Sequence, residues 1–462
     1  MADADDSDAE VNALLGQMEV EQAQPALWSR EREAQLRVAL GAAWYKRGMR
    51  SASPVLGFIM QACQQWAASL GVHPTPSALH NLQVVQRATG NDGAADALAL
   101  VQRSVFEPDE GARPVVAIYT GYSGAFTGRD VQGDGVWGSE LAAVKLAEAL
   151  APACDVTVFC ECAGMEAPER VRGVAYLPRQ FYGEWAKRRA VDLLIVSRYL
   201  HFFLEFDATA ARAVVLWLHD KVPHYMWRDT ALPSMGGPLF ANVLPALRGI
   251  VCVSEWQAVE LVRAEPKAAP LVRVIGNALN WAAPAAPPPA RVPGRMILCT
   301  DPARGLDVLL LLFERVRAQV PHASLHVYWS ALPAPLPEGA AFMGKASSEQ
   351  LRDAMLQAEV MAYPNLGHET YCMAALEAQA AGVVVVARAY SGLYTTVGDR
   401  GVLIPGADVR APEWQDAAVG HIVRLLRDAA LREGYSAAGA AWARAQTWGA
   451  RAEEWQQSYL RS

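Results

Sequence analysis

Residues 359–388 read Glu359-Val-Met-Ala-Tyr363-Pro-Asn-Leu-Gly-His-Glu369-Thr370-Tyr371-Cys372-Met-Ala-Ala-Leu-Glu377-Ala-Gln-Ala-Ala-Gly382-Val-Val-Val-Val-Ala-Arg388. The apolar run Glu359–Tyr363 reads as a short buried strand. Pro364 and Gly367 then punctuate a loop. Tyr371–Ala381 carries helix formers and stops at Gly382, a residue suited to closing a helix. Val383–Arg388 is β-branched and reads as the next strand. Strand, loop, helix, strand is the repeating unit of an open parallel α/β sheet, and such sheets bind ligands outside the carboxyl ends of their strands. The loop 364–370 falls there. Thr370 is the expected N-cap. The first helical turn then offers free N–H groups and a positive dipole end, which suit a diphosphate.

The same rhythm extends in both directions. Downstream of residue 294, Met296–Cys299, Ser324–Trp329, Glu359–Tyr363, Val383–Arg388 and Val402–Ile404 read as strands, with Leu306–Arg317 and Ser348–Gln357 as helices between them. Upstream, Pro114–Tyr119, Asp155–Phe159, Leu193–Ser197, Ala213–His219, Ile250–Ser254 and Val272–Gly276 are apolar along their length, as parallel strands buried on both faces are. Five prolines between Trp281 and Gly294 suit neither a helix nor a sheet interior and mark a linker. Ser29–Val105 is helical only, in stretches Arg32–Tyr45, Pro54–Leu70, Pro76–Thr89 and Ala94–Val105, as two hairpins with a loose tetratricopeptide likeness.

The expected fold class is therefore α/β: two Rossmann-like doubly wound domains facing a cleft, preceded by an all-helical N-terminal region. The expected divisions are a disordered acidic arm 1–24, a helical extension 25–110, a first Rossmann-like domain 113–280, the linker 281–294, a second such domain 295–435, and C-terminal helices 436–462.

Composition narrows the function. The 462 residues hold 41 Lys plus Arg against 48 Asp plus Glu, a net charge of −7, so nothing draws the chain to nucleic acid in bulk. Seven scattered cysteines with no CxxC pair suit reduced thiols and a cytoplasmic protein. The acidic start is unlike a leader, and no apolar run nears the ~20 residues of a membrane span.

Glu369 and Glu377 stand eight residues apart on the loop and its helix. A carboxylate pointed at phosphate would repel it; beside the phosphates it can accept hydrogen bonds from a vicinal diol. The plainer alternative is a pair of solvated glutamates favoured by the helix dipole. No Asp-x-Asp pair lies in a loop of this kind; the spacings Asp3-Ala-Asp5 and Asp6-Ser-Asp8 sit in the acidic arm. Charge on a leaving diphosphate then falls to cations and helix termini. Arg304 follows a strand and precedes the helix Leu306–Arg317, where the dipole disfavours a cation, so it is the foremost candidate. The loop Gly133-Asp-Gly135-Val-Trp-Gly138 could add backbone donors. His219 ends an apolar strand at the binding edge.

These residues resemble the signature of GT-B glycosyltransferases of family 4, in the branch reading Glu-Thr-Phe-Cys-Ile. The likeness continues in order through Gly135-Val-Trp-Gly138-Ser-Glu140, Leu216-Trp-Leu-His219-Asp220, Val253-Ser254-Glu-Trp256, Val274-Ile-Gly-Asn277 and Thr300-Asp-Pro-Ala-Arg304-Gly305-Leu306, across about Pro114 to Ser462. It implies a retaining, metal-independent hexosyl- or glycosyltransferase acting on a nucleotide-sugar. Glu369 and His219 would be its catalytic residues, and Arg304, Glu377, Gly135, Gly138, Lys345, Thr370, Tyr371 and Cys372 its donor-binding set. No metal and no cofactor beyond the nucleotide-sugar are expected. The acceptor would be a glycan, a lipid-linked group or a protein; peripheral membrane contact and a protein partner on the helical extension stay open.

Two departures stand out. Leu298 occupies a position where many relatives carry an arginine, which leaves Lys345 as a candidate second cation, and Cys372 replaces a common glycine. The competing readings are an epimerase or phosphorylase on the same scaffold, and a catalytically silent sugar-binding or scaffold protein working through its helical extension.

Overall fold

The computed structural model describes residues 3–24, 29–49, 56–107, 111, 113–121, 123, 125–126, 128–129, 138–161, 169–221, 223, 239–281, 289–331 and 335–461. The first helices are α1 (Asp3–Gln22), α2 (Arg30–Met49), α3 (Leu56–Val72), α4 (Pro76–Ala88) and α5 (Asp92–Phe106). Then come β1 (Val115–Tyr119), α6 (Gly138–Leu150), β2 (Asp155–Cys160), β3 (Glu169–Val171), β4 (Val174–Pro178), α7 (Tyr182–Ala186) and β5 (Val191–Ser197). They are followed by β6 (Ala211–Trp217), β7 (Gly249–Cys252), α8 (Glu255–Ala264) and β8 (Val272–Val274). The second half runs β9 (Arg295–Leu298), α9 (Leu306–Gln319), β10 (Ser324–Tyr328), β11 (Ala340–Gly344), α10 (Ser348–Gln357), β12 (Val360–Tyr363), α11 (Met373–Ala380), β13 (Val384–Arg388) and β14 (Val402–Ile404). It ends with α12 (Pro412–Arg427), α13 (Ala429–Ala445) and α14 (Trp448–Tyr459).

The first sheet has the order β3-β4-β2-β1-β5-β6-β7-β8 and the second β11-β10-β9-β12-β13-β14. Every pairing in the second sheet is parallel. Its central strands β9 and β12 are the pair at which the winding reverses direction, the position where open α/β sheets hold ligands. The β-branched and apolar strands sit in a continuous core with Leu309, Phe313 and Ile422 of the flanking helices.

Contacts divide the chain into two compact units, one of Met1–Arg129, Ala151–Ile195 and His201–Arg212, the other of Asp130–Leu150, Val196–Leu200 and Ala213–Ser462. In the first unit, Thr75 and Asn91 cap α4 and α5 through the amides of Ala78 and Ala94. The arm expected to be disordered forms α1 instead. Val11, Leu14 and Met18 lie at helical spacing and pack on Leu40 and Ala43 of α2, which outweighs the acidic composition. Strands β3 and β4 went unread in the sequence; they form an antiparallel hairpin around Arg172 and Gly173, with φ of 49° and 83°.

In the second unit, the C-terminal stretch from Pro412 is three helices. Breaks fall at Asp428, which caps α13, and at Thr447, which caps α14. The boundary drawn at residue 435 thus lies inside α13. Helix α14 returns to the strands of the first half: Trp455 meets the Trp217 ring at 5.5 Å, and Trp448 Nε1 donates to Asn280 Oδ1 at 2.8 Å. Among the described residues no helix is long and apolar enough to cross a membrane. Half of the proline-rich linker (282–288 of 281–294) lies outside the described residues, as do Tyr225 and Trp227, aromatics that suit either an acceptor grip or core packing.

Candidate functional site

Two loops meet at the switch point of the second sheet. The loop after β9 is a short 3-10 turn that Asp301 caps by accepting from the Ala303 amide at 3.0 Å. It ends at Gly305, whose φ of +124° and closeness to the Pro364 carbonyl leave no room for a side chain. The loop after β12 is tied to it by the Leu366 amide, which donates to the Arg304 carbonyl at 3.2 Å. Segment 391–392 then fixes the key glutamate's backbone: the Glu369 amide donates to Ser391 Oγ at 3.0 Å, and the Gly392 amide donates to the Glu369 carbonyl at 2.7 Å.

This architecture brings Arg304 and Glu369 into an ion pair from 65 residues apart. Tyr363, at the end of β12, donates to the same carboxylate oxygen at 2.6 Å. Burial and the nearby carboxylate keep the Tyr363 proton in place, so it remains a donor. For Arg304, burial works against the charge, but Glu369 and Tyr363 outweigh it and the guanidinium holds its proton more tightly than usual. Arg304 is nonetheless exposed on one side, whereas only 13% of the Glu369 side chain is. A cation fixed by one carboxylate and open to solvent is ready to receive an anion.

The cap of α11 differs from expectation. Thr370 does not cap it; its hydroxyl donates to the His219 carbonyl at 2.8 Å. The N-cap is Cys372, in left-handed conformation at φ 73°. That conformation favours glycine, so the glycine-to-cysteine departure places a Cβ where the backbone tolerates it poorly. Burial holds the Cys372 thiol protonated, which makes it no nucleophile. Gly382 terminates the helix as expected, with φ 75° and its amide donating to Gln379 at 2.7 Å. Tyr371 is buried, its ring lying 3.0 Å from where a side chain on Gly276 would begin.

Glu377 sits about one turn along α11, half-buried, with no hydrogen-bond partner among the described residues. Burial pushes its carboxyl up to about 7. The folded chain therefore keeps this proton in the window from about 4.5 to about 7, where the unfolded chain has lost it, and stability falls as pH rises through that window. Glu377→Gln is expected to raise the melting temperature by about 2–4 °C near pH 8 and to leave it unchanged near pH 4.5. Thermal melts of both proteins at the two pH values test this; an equal shift at both would contradict it.

His219 follows β6. Burial pulls its ring down to about 3, Arg198 adds to this and Asp220 opposes it, so the imidazole is neutral. Its Nε2 is buried without a partner. Beside it lies a cluster that sequence reasoning missed. Arg198, at φ 67°, holds Asp220 through two bonds of 2.8 and 2.9 Å and donates to Ser139 Oγ at 3.1 Å. Ser139 in turn donates to Glu140 Oε2 at 2.8 Å. Arg198 thereby joins the start of α6 to the His219-Asp220 segment; its place at the end of β5 was the available signal. Trp256 of α8 stacks on His368 at 5.5 Å and 28°, a second unpredicted tie to the loop 364–370.

Other expected residues stand apart or out of view. Gly138 opens α6, but no atom lies near enough to require glycine there. Gly135 lies outside the described residues. Lys345 is exposed and follows β11, the edge strand two places from β9. Among the described residues no cluster of His, Cys, Asp and Glu could hold a metal ion.

Comparison with known proteins identifies the fold. Sucrose-phosphate synthase from Thermosynechococcus elongatus superposes with a TM-score of 0.55 at 18% identity, covering 76% of this chain and 99% of that one. Anabaena HepE, solved with UDP and glucose, superposes at 0.53 with 14% identity over 76% of this chain and all of its own. At these identities the likeness is one of fold, and the fold is that of the GT-B glycosyltransferases. Residues 293–428 match the family Glycosyl transferases group 1. The phosphatidyl-myo-inositol mannosyltransferase of Mycolicibacterium smegmatis is 29% identical over 146 residues, 30% of this chain and 36% of its own. That of Mycobacterium tuberculosis is 30% identical over 158 residues, 32% of this chain and 41% of its own. The chain thus spans well under two thirds of the curated relatives it matches.

Proposed function

We propose that the chain is a glycosyltransferase that moves a sugar from a nucleotide-sugar donor to a hydroxyl-bearing acceptor, with retention at the anomeric carbon and without a metal. The observation that carries this reading is the Arg304–Glu369 pair on the two switch-point loops, with the unpartnered Glu377 on the adjoining helix. Arg304 would take the diphosphate together with the first amides of α11, which have no acceptor within the helix. Glu377 would accept the ribose hydroxyls. Glu369 would then exchange its guanidinium for hydroxyls of the donor sugar, while Tyr363 keeps its orientation.

The reaction breaks the bond between the anomeric carbon and the diphosphate oxygen, and the electron pair leaves with the diphosphate. The acceptor oxygen bonds to the same face, and its proton passes to the departing phosphate oxygen. Charge developing on the diphosphate is met by Arg304 and amide dipoles in place of Mg²⁺. Neutral His219 would hold a sugar hydroxyl beside the reacting carbon; a neutral ring can donate or accept there without repelling the oxocarbenium-like centre. Thr370, Tyr371 and Cys372 shape the donor side, and Gly135, Gly138 and Lys345 are assigned to the phosphates from the sequence pattern.

A panel of nucleotide-sugars, assayed for release of nucleoside diphosphate in the presence of EDTA, tests this. At least one donor is expected to be consumed at the same rate with and without chelator. Strict dependence on Mn²⁺ would contradict the metal-free mechanism, and an inert panel would favour a silent binding protein.

A further inference from the structure

In the first compact unit, a cavity of about 820 Å³ lies where the helical region meets the carboxyl edge of β2 and β4. One wall comes from Arg30 and Glu33 of α2 and from the 71–74 corner between α3 and α4. The opposite wall holds Glu161, directly after β2, Arg179, directly after β4, and the segment 205–207.

The carboxylates of these walls are already matched. Arg179 pairs with both Glu161 and Glu205. Glu184 pairs with Lys187 and Arg188, each at 2.7 Å. Glu33 pairs with Arg37 at 2.6 Å, and Asp207 accepts from the Thr209 amide and hydroxyl at 2.8 and 2.7 Å. The cavity is therefore dense in fixed acceptors and donors yet electrically balanced. Phe206 lines it partly exposed, backed edge to face at 5.3 Å by the buried Tyr182.

We infer that this cavity binds an uncharged carbohydrate, so that the helical region is one wall of a ligand site. Carboxylates accept from sugar hydroxyls, the guanidinium donates to them, and the partly exposed Phe206 ring offers an apolar surface to a pyranose. A phosphate-bearing headgroup fits poorly, because an anion would displace Glu161 and Glu205 from Arg179 and then face them at close range. The volume is within the range of about 300–1,000 Å³ seen for small-molecule sites and takes more than one hexose ring. Only the ligand's role, as the sugar part of the acceptor, rests on the transferase reading; binding itself is independent of it.

The test uses the full chain without nucleotide, so the donor-site reading does not enter the result. Maltose, sucrose and trehalose are titrated by saturation-transfer NMR and calorimetry, with myo-inositol 1-phosphate as the anionic control. At least one disaccharide is expected to bind. Ala210→Trp, at an exposed position on the cavity, should weaken binding by narrowing it. Glu205→Gln and, on the helical wall, Glu33→Gln should each weaken it about tenfold by altering one charge-assisted hydrogen bond. Melting temperatures near that of the unaltered chain would separate these losses from misfolding. The inference is overturned if none of the disaccharides binds, if Ala210→Trp leaves binding intact, or if the inositol phosphate binds more tightly than all three.

Discussion

Glu369→Ala is expected to reduce donor turnover by about a thousandfold, the scale seen when one preorganised electrostatic contact to a transition state is removed. Its effect on nucleotide binding should run the other way. In the unliganded protein the Glu369 carboxylate competes for Arg304, so removing it frees the guanidinium for the diphosphate. Affinity for the nucleoside diphosphate should hold or rise while kcat collapses. That divergence separates a group acting on the sugar from one that merely props the loop. Glu369→Gln keeps the shape and the Tyr363 hydrogen bond, which controls for the mostly buried position. Steady-state kinetics and calorimetry on the two variants check this; unchanged turnover in Glu369→Ala would make the residue a bystander.

Arg304→Ala should have the second large effect, and on binding. A guanidinium making charge-assisted hydrogen bonds to a diphosphate contributes about 1.5–3 kcal/mol, or a weakening of about 10- to 100-fold in Kd when it is lost. Because Arg304 is partly exposed, salt should weaken the native interaction and leave the variant less affected. Arg304→Lys should recover part of the affinity, since a point charge replaces a planar fork. The variant also leaves the Glu369 carboxylate without its cation, so some loss of thermal stability should accompany it. Calorimetric titration with the nucleoside diphosphate measures the first effect; unchanged affinity would remove Arg304 from the donor site.

Much of the second sheet was legible because strands buried on both faces must be apolar throughout, as Met296–Leu298 and Val383–Ala387 are. The hairpin β3-β4 was not, since Glu169-Arg-Val reads as a surface segment and the turn is marked by Gly173 alone. Helix α1 was hidden by its acidic residues, although Val11, Leu14 and Met18 already carried the helical period. In the site, residue types were readable but pairings were not. Glu369 and Arg304 were both singled out, yet their union depends on which strands adjoin, a property of topology. Thr370 looked like a cap by position and instead reaches His219, 151 residues away, because the left-handed Cys372 moves the helix start two residues on. Arg198 was missed because its one signal, a place just after the end of β5, is shared with any ordinary strand-end arginine.

The most direct measurement is a crystal structure of the chain with a nucleoside diphosphate, grown with EDTA. The expected result is the diphosphate within hydrogen-bond distance of the Arg304 guanidinium and the first amides of α11, with the ribose hydroxyls on Glu377. A nucleotide bound at another edge, or bound at this one with both side chains turned away from it, would contradict the mechanism.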